Sequence, residues 1–502
     1  MTGSEEQPAG ETPAGGDPAE GFAGILAERR EKLDRLRAAG NNPFAHSFAP
    51  REEIGDVLVA HQGLEAGTET DAVHRVAGRI TGRRGHGKAA FIDLRDGTGQ
   101  IQIHAKADVL GSGYGLLEDL DLGDFIGVEG RAIVTRRGQL SLEATTWEVL
   151  TKSLRPPPDK FHGLEDTETR YRHRELDLIA NEEPRRIFRV RARTVSEVRR
   201  WLDDHGFFEV ETPVLQPLYG GALARPFVTH HNALDRKLYL RIATELYLKR
   251  CVVGGMDKVY ELGKDFRNEG ISMKHNPEFT MLEWYEAYAD YNDTAADLEA
   301  LVSGVAERVL GKAEIERDGR VISLAAPWHR ITMRDAIFEH SGVDIDRLTG
   351  RDELSAAIGN GDETAGWGKL VDTVFSKQVE PKLIEPTFIL DYPEELSPFA
   401  KQHRETPGKV ERWEAFIGGV EIANSFTELN DPDEQRRRFE QQAVEIDRGD
   451  DEAQPFDEAF IEALEQGMPP TGGVGLGIDR LVMMLTGASS LREVVLFPAM
   501  RD

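Results

Sequence analysis

Within this 502-residue chain, two stretches set reactive side chains along one face of an extended strand. In PEFTMLEWYEA, the two-residue period of a β-strand places Phe279, Met281, Glu283 and Tyr285 on the same side. In the second stretch Asn424, Phe426 and Glu428 share a face. A desolvated carboxylate near a tyrosine suits an ammonium ligand, because the charge-assisted bond discriminates against analogues that lack the amine. Arg267, just before the first stretch, and Arg480, in a later Gly-rich segment, are of the type that holds phosphate.

These strands need a scaffold, and the chain changes character several times before reaching them. Residues 1–20 are Gly, Pro, Glu, Ala and Thr with almost nothing to bury, which predicts a disordered tail. A helical segment is expected over 21–71: Ile25, Leu26, Leu33 and Leu36 recur at helical spacing, and Gly40, Asn41, Asn42 and Pro43 stop the helix. Over 72–152, VHRVAGRI, AAFIDLRD, GQIQIHA, DFIGVEGRAIV and QLSLEATTWEVL alternate apolar with polar residues between Gly-rich turns. Five such strands suit a small barrel of the oligonucleotide-binding (OB) kind. A linker over 153–170 contains RPPPDKFHG. From 171 to 502 the patterns mix. Phe188, Ala192, Val195, Val198 and Leu202 make a helical stripe, FFEVETP reads as a strand, and longer strands are expected at 238–244, 257–267, 277–288 and 411–428. Antiparallel strands with helices between them predict an α+β domain, not a doubly wound sheet.

Composition narrows the class. With 39% hydrophobic and 30% charged residues the chain reads as a soluble globular protein. No apolar run reaches the roughly 18 residues of a membrane span, and no leader pattern precedes the helical segment, so a cytoplasmic protein is expected. The single cysteine, Cys251, excludes an internal disulfide framework and reads as packing. The net charge of −28 lowers non-specific affinity for RNA. It does not exclude a specific complex, because basic patches remain at 78–88 and 185–200. Two Gly-rich segments imitate nucleotide motifs. GRRGHGKA at 82–89 ends in Ala89 instead of a hydroxyl residue and joins two strands, whereas a phosphate loop opens a helix. GGVGLGID at 472–479 lacks the strand-turn-helix unit and following acid of a dinucleotide fingerprint.

HGFFEVETPVL with GGALARPFVTHHNAL, VYELGKDFRNEGISMKHNPEFTMLEWYEAY, and GGVGLGIDRLVMMLTG running to REVVLFPAMR resemble motifs 1, 2 and 3 of the class II aminoacyl-tRNA synthetases. Motif 2 and FTELNDP at 426–432 are closest to the lysine-specific branch. The resemblance runs from about residue 22 to the end. It implies an antiparallel-sheet catalytic domain behind an anticodon-binding OB barrel, and synthesis of lysyl-tRNA through an ATP-made lysyl-adenylate. The attacking lysine carboxylate is already ionised, so positioning and charge neutralisation carry the rate, with no general base required. Phe279 and Tyr285 lie roughly 20 Å apart along a strand, about the length of a lysyl-adenylate.

The resemblance also implies roles. Arg267 would bridge the α-phosphate and the substrate carboxylate, and Arg480 would lie against the nucleotide toward the γ-phosphate; these are the catalytic pair. Glu269, His275 and Phe279 would hold the rest of ATP, with Phe279 stacked on adenine. Glu414 and Glu421 would bind Mg2+. Gly221 and Glu245 would take the α-amino end of lysine, and Tyr285 and Glu428 its ε-ammonium, in a pocket shaped by Asn424 and Phe426. In the barrel, Phe91 would stack on an anticodon base, Gln102 would read a base edge, and Arg79 and Arg83 would meet phosphate or base. Plainer roles stand beside these: Glu414 as a solvated edge charge, His275 as a turn residue, Phe91 as barrel core. Glu421 has the wrong parity to join Asn424 unless a β-bulge intervenes. Motif 1 implies a homodimer. Three positions depart from the family pattern: Val420 for an arginine, Trp413 for a phenylalanine, Leu223 for an alanine. The alternatives weighed are a ligase that moves lysine onto a protein, an aspartate or asparagine enzyme, and an inactive RNA-binding relative.

Overall fold

The computed structural model describes residues 18–85, 87–158, 164–359, 366–447 and 453–501. The chain divides into two compact units, Met1–Gly163 and Leu164–Asp502. The tail expected over 1–20 lies outside the described residues as far as 17, and a helix, Pro18–Ala38, already includes 18–20.

The five alternating segments of the first unit form β1 (Glu69–Arg84), β2 (Ala89–Arg95), β3 (Gln100–Lys106), β4 (Phe125–Val134) and β5 (Leu140–Thr151). They close into a barrel in the order β1-β2-β3-β5-β4. The inward-facing Val76, Ile80, Ile92, Leu94, Ile103 and Val128 are buried in its core, each contributing roughly 1.5–3 kcal/mol of burial. Gly78 serves the barrel's curvature, since a methyl there would stand 2.5 Å from the Arg95 carbonyl oxygen.

The second unit begins inside the expected linker, with a helix at Thr167–Arg172. Helix Glu182–Asp204 spans the predicted stripe but buries only its Val198 and Leu202, together with Ile187 and Trp201, in the main core, leaving Ala192 exposed. FFEVETP yields only the short β6 (Phe208–Glu209). β7 (Leu215–Gln216), β8 (Val228–His231) and β9 (Arg236–Leu240) form a small separate sheet in the order β7-β9-β8. The strand expected to run to 244 therefore ends at Leu240, where Arg241 turns inward to pair with Glu261 and Asp265.

β10 (Lys258–Phe266) and β11 (Glu278–Ala287) come next, then the small hairpin β12 (Glu314–Arg317) and β13 (Arg320–Ser323). β14 (His329–Thr332), β15 (Thr387–Leu390), β16 (Arg412–Ile417), β17 (Val420–Thr427) and β18 (Thr471–Gly477) follow. The large sheet runs β14-β15-β16-β17-β18-β11-β10-β6. Its inner pairings are antiparallel, while the β14–β15 and β10–β6 pairs at its margins are parallel. The sheet is thus mixed: each marginal pair is joined by a long crossover, which permits parallel alignment. The single strand expected at 411–428 is a hairpin turning at Gly418 and Gly419, whose φ values of 61° and 70° favour glycine. One face of the sheet is apolar. Leu282, Trp284, Val474 and Leu476 pack there with helices Tyr291–Leu310 and Ile478–Thr486. The other face is open to ligand.

Candidate active site

The glycine strand makes the opening. β18 lies between β11 and β17, and its register lines Tyr285, Gly473 and Phe426 in one row and Glu283, Gly475 and Asn424 in the next. Because the glycines carry no side chains, the flanking residues overhang a trough of about 320 Å³. A methyl on Gly473 would stand 2.1 Å from Glu428 Oε1 and 2.4 Å from Tyr285 Cε1, so only glycine fits. Phe279, Met281, Glu283 and Tyr285 all line this trough, as do Asn424, Phe426 and Glu428.

One end is acidic. Glu245, Glu283 and Glu428 are 5%, 6% and 1% exposed. The Tyr285 hydroxyl donates to Glu283 Oε2 (3.2 Å) and the Thr244 amide to Glu283 Oε1 (3.3 Å). Lys249, fully buried, pairs with Glu245 (2.6 Å) and with Glu428 Oε2. Among the described residues, Glu428 Oε1 has no hydrogen-bond partner. Burial pushes the Glu283 carboxyl up to about 8, with Asp265 and Glu245 adding to it. Burial likewise lifts Glu428 to about 8, against the pull of Lys249. Three carboxyl groups surround one ammonium, and an added cation at this end would favour their ionised forms. The sequence reading gave Lys249 no role; its signal is the four-residue spacing from Glu245 on helix Glu245–Val253.

The other end is cationic. The Arg267 guanidinium lies 5.0 Å from the centre of the Phe279 ring, and its Nε donates to the Ile242 carbonyl (3.4 Å). Glu269 and His275 line the cavity from the exposed loop between β10 and β11, with His275 Nδ1 2.8 Å from Ser272 Oγ. Arg480, in the first turn of helix Ile478–Thr486, donates to the Glu421 carbonyl (2.8 Å) and to its Oε2 (2.9 Å). The parity problem at Glu421 is resolved by a bulge: Phe416 pairs with Glu421 and Ala415 with Ala423, so Ile422 is the extra residue and Glu421 joins the cavity wall.

Glu414 sits apart from the lining residues, paired across the strands with Asn424. It is not a solvated edge charge. Tyr392 donates to its Oε2 (2.8 Å), Arg412 to its Oε1 (2.5 Å), and burial lifts its carboxyl to about 7, opposed by Arg412 and reinforced by Glu421. Gly221 lies on the wall with φ of 89°, its position packed against Glu245 Cβ and Ala243 Cβ.

On the barrel, the β2–β3 register sets Phe91 opposite His104, with rings stacked at 4.6 Å, and Asp93 opposite Gln102. Ser141 Oγ donates to Gln102 Oε1 (3.0 Å), which leaves the Gln102 amide nitrogen available. Half-exposed Phe91 is therefore on the outer surface and not in the core. A register shift between Ile80 and Gly82 separates the two predicted arginines. Arg83 pairs with the core residue Ile92 and donates to the Leu120 carbonyl (3.1 Å), so it is turned away from Phe91. Arg84 takes the place beside Phe91, bound to Asp93 (2.9 Å). Arg79 packs over the Phe125 ring at 4.3 Å and donates to the Gly123 carbonyl (3.0 Å). His104 and Arg84 were missed because only the paired register, not either strand alone, brings them to Phe91.

A cavity floored by a glycine strand, with arginines at one end and an aromatic ring between, on a sheet of this order, is matched by sequence comparison. The family model of tRNA synthetases class II (D, K and N) covers residues 166–501, and that of the OB-fold nucleic acid binding domain covers 74–150. The chain belongs to the class II tRNA synthetase family. Within it, the chain is 50% identical to the lysine–tRNA ligase of Carboxydothermus hydrogenoformans, over 95% of this chain and 98% of that one. It is 51% identical to the lysine–tRNA ligase of Moorella thermoacetica, again over 95% and 98%. The three departures fall in different settings. Val420 and Trp413 are buried in the main core, where the Trp413 indole donates to the Tyr291 carbonyl (2.6 Å). Leu223 lies on the cavity wall, 48% exposed.

Proposed function

We infer that this chain activates L-lysine with ATP to lysyl-adenylate and transfers the lysyl group to the 3′ end of tRNA-Lys. Close relatives named lysine–tRNA ligase support that reading. The observation that carries the choice of amino acid is Glu428 Oε1, buried beside Tyr285 at the acidic end and without a partner among the described residues. A lysine ε-ammonium supplies the donors that this oxygen lacks, and Asn424 and Phe426 shape the walls around the aliphatic stem. An aspartate or asparagine pocket would offer a free basic group there, whereas Lys249 is already shared by Glu245 and Glu428.

Glu245 and the Gly221 carbonyl receive the α-amino group in this reading, which brings the lysine carboxylate toward Arg267. A carboxylate oxygen attacks the α-phosphorus, a phosphorus–oxygen bond forms, and the bond to the bridging oxygen breaks as pyrophosphate leaves. Arg267 holds both partners, and Phe279, His275, Glu269 and Arg480 hold the nucleotide. The 3′-terminal ribose hydroxyl of tRNA then attacks the adenylate carbonyl and AMP departs.

Mg2+ fits the donor set. Glu421 lines the phosphate end, and Glu414, apart from the lining, is close enough for the two carboxylates to repel each other, with Arg412 and Arg480 as the cations beside them. Two carboxylates completed by phosphate oxygens are a usual Mg2+ arrangement. When bound, the ion would neutralise polyphosphate charge.

The barrel would bind the anticodon through Phe91, Gln102 and neighbouring arginines. A homodimer is supported by Phe208 (69% exposed) on the marginal strand β6, with Val214 and Leu215 also exposed. Among the described residues no helix is long and apolar enough to cross a membrane. The deciding experiment is ATP–pyrophosphate exchange over twenty amino acids without tRNA. Exchange with lysine alone supports the reading; no exchange in a folded, Mg2+-supplied sample overturns it.

A further inference from the structure

The loop that carries Gly221 is built without support from its own backbone. Among the described residues, no backbone–backbone hydrogen bond reaches residues 220–224. The hold comes from a side chain more than two hundred residues later. The Gly221 N–H donates to Gln454 Oε1 (3.1 Å), and Gln454 Nε2 donates to the Ala222 carbonyl. Gln454 is 1% exposed, and its own N–H donates to Gln442 Oε1 (3.3 Å) on helix Pro432–Asp447. One carboxamide thus grips the loop at two points, using its acceptor and its donor together. The peptide joining Gly221 to Ala222 is fixed from both flanks, and the Gly221 oxygen is left as an acceptor. A side chain at Gly221 would be crowded, since a methyl there would approach Glu245 Cβ to 3.0 Å.

We propose that Gln454 is a positioning residue for amino-acid recognition: it aims the Gly221 carbonyl, alongside Glu245, at the α-amino group of the substrate. This rests on the assignment of the α-amino group to Gly221 and Glu245. Gln454 touches no substrate atom. It makes the described residues just ahead of helix Glu458–Glu465 part of the machinery that tells an α-amino acid from a simple ω-amino acid. Loss of the grip costs the α-amino contact while leaving the acidic end and the phosphate end in place.

The test uses full-length protein, the variants Gln454→Met and Gln454→Glu, and two ligands. Lysine KM is measured by ATP–pyrophosphate exchange, and 6-aminohexanoate, which has the carboxylate and ω-amine without the α-amine, is measured as a competitive inhibitor. For Gln454→Met, which removes both hydrogen bonds, lysine KM should rise about tenfold. The inhibition constant of 6-aminohexanoate and the KM of ATP should stay at wild-type values. Gln454→Glu keeps the acceptor for Gly221 N–H but loses the donor to Ala222, and should fall between the two. A parallel rise for lysine and 6-aminohexanoate, or an unchanged lysine KM, overturns the proposal. Glu245→Gln separates this failure from that of the underlying assignment. If Glu245→Gln discriminates between the two ligands and Gln454→Met does not, only the Gln454 proposal falls; if neither discriminates, the α-amino assignment falls with it. If Gln454→Met does not fold, Gln454→Glu decides by the same comparison.

Discussion

Glu428→Gln separates recognition of the ammonium from everything else the cavity does. The substitution keeps the side chain's volume at a site that is 1% exposed and removes one of three carboxylates. Lys249 keeps Glu245 as its partner at 2.6 Å, so the local ion pair survives in part. Truncating one member of a buried, hydrogen-bonded charge pair costs about 2–5 kcal/mol. Glutamine retains an oxygen that can accept from the substrate ammonium, which places the loss at about 2–3 kcal/mol, a roughly 30- to 150-fold rise in lysine KM. In the proposed orientation ATP lies at the Arg267–Phe279 end, several strand residues away, and its KM should be unchanged. The assay is ATP–pyrophosphate exchange with lysine titrated at saturating ATP, then ATP at saturating lysine. An equal loss for both ligands would refute the reasoning, because Glu428 would then support the cavity as a whole and not one end of it.

Proton linkage gives a second expectation. Glu283 and Glu428 are held near 8 by burial, so the ligand-free protein keeps protons at pH 6–7 that these carboxyls would lose in the unfolded chain. Lysine's ammonium favours their ionised forms, so binding releases protons and lysine KM should fall as pH rises from 6 to 8, by up to about tenfold per unit for each proton released. The same raised values stabilise the ligand-free fold at low pH and lose that contribution as pH rises toward 8, so the stabilisation that lysine gives in thermal melts should grow over this window. Phe279→Ala should raise the KM of ATP by roughly 5- to 150-fold, the worth of one aromatic–base stack of about 1–3 kcal/mol, with lysine KM little changed; a selective rise in lysine KM would contradict the orientation of the adenylate. Phe91→Ala and Arg84→Ala should reduce tRNA charging and spare exchange, while Arg83→Ala should act mainly on barrel stability in thermal melts; equal charging defects for the two arginine variants, without a change in stability, would contradict the side of the sheet assigned to each.

The legible parts of this molecule were those that a period of two or a strong local stop encodes. All five barrel strands lie where alternation predicts them, and the side chains of β11 share the face that their spacing implies. Properties that belong to pairs of strands were harder. Glu421 reaches the cavity only because Ile422 bulges, and Arg83 and Arg84 exchange places only because β1 shifts register after Ile80. Nothing in either strand alone specifies such a shift. Length was misjudged where a charged residue turned inward: Arg241 leaves β9 to pair with Glu261 and Asp265, a burial visible only once those partners are adjacent. Lys249 escaped notice for the opposite reason. A lysine on a helix ordinarily points to water, and its burial here is tolerable because Glu428, arriving just past β17, joins Glu245 in pairing with it.

The segment GGVGLGID connects these points. As a dinucleotide fingerprint it fails, because its glycines do not form a turn around a phosphate; they are the alternate residues of a central strand that runs directly into a helix. Their use is to be absent as side chains. Gly473 leaves room for Tyr285 and Glu428 to converge, Gly475 lies in the row of Glu283 and Asn424, and a methyl on Gly477 would stand 3.6 Å from Arg480 Cδ. Val474 and Leu476, on the other face, supply the burial that glycines cannot. A strand so poor in side chains is costly in conformational entropy, and it persists because both neighbours are long and antiparallel and the reverse face is fully packed. The acidic end and the cationic end of the cavity are therefore set along one strand, so that the spacing from the Tyr285 row to the start of the helix that carries Arg480 is decided by backbone register.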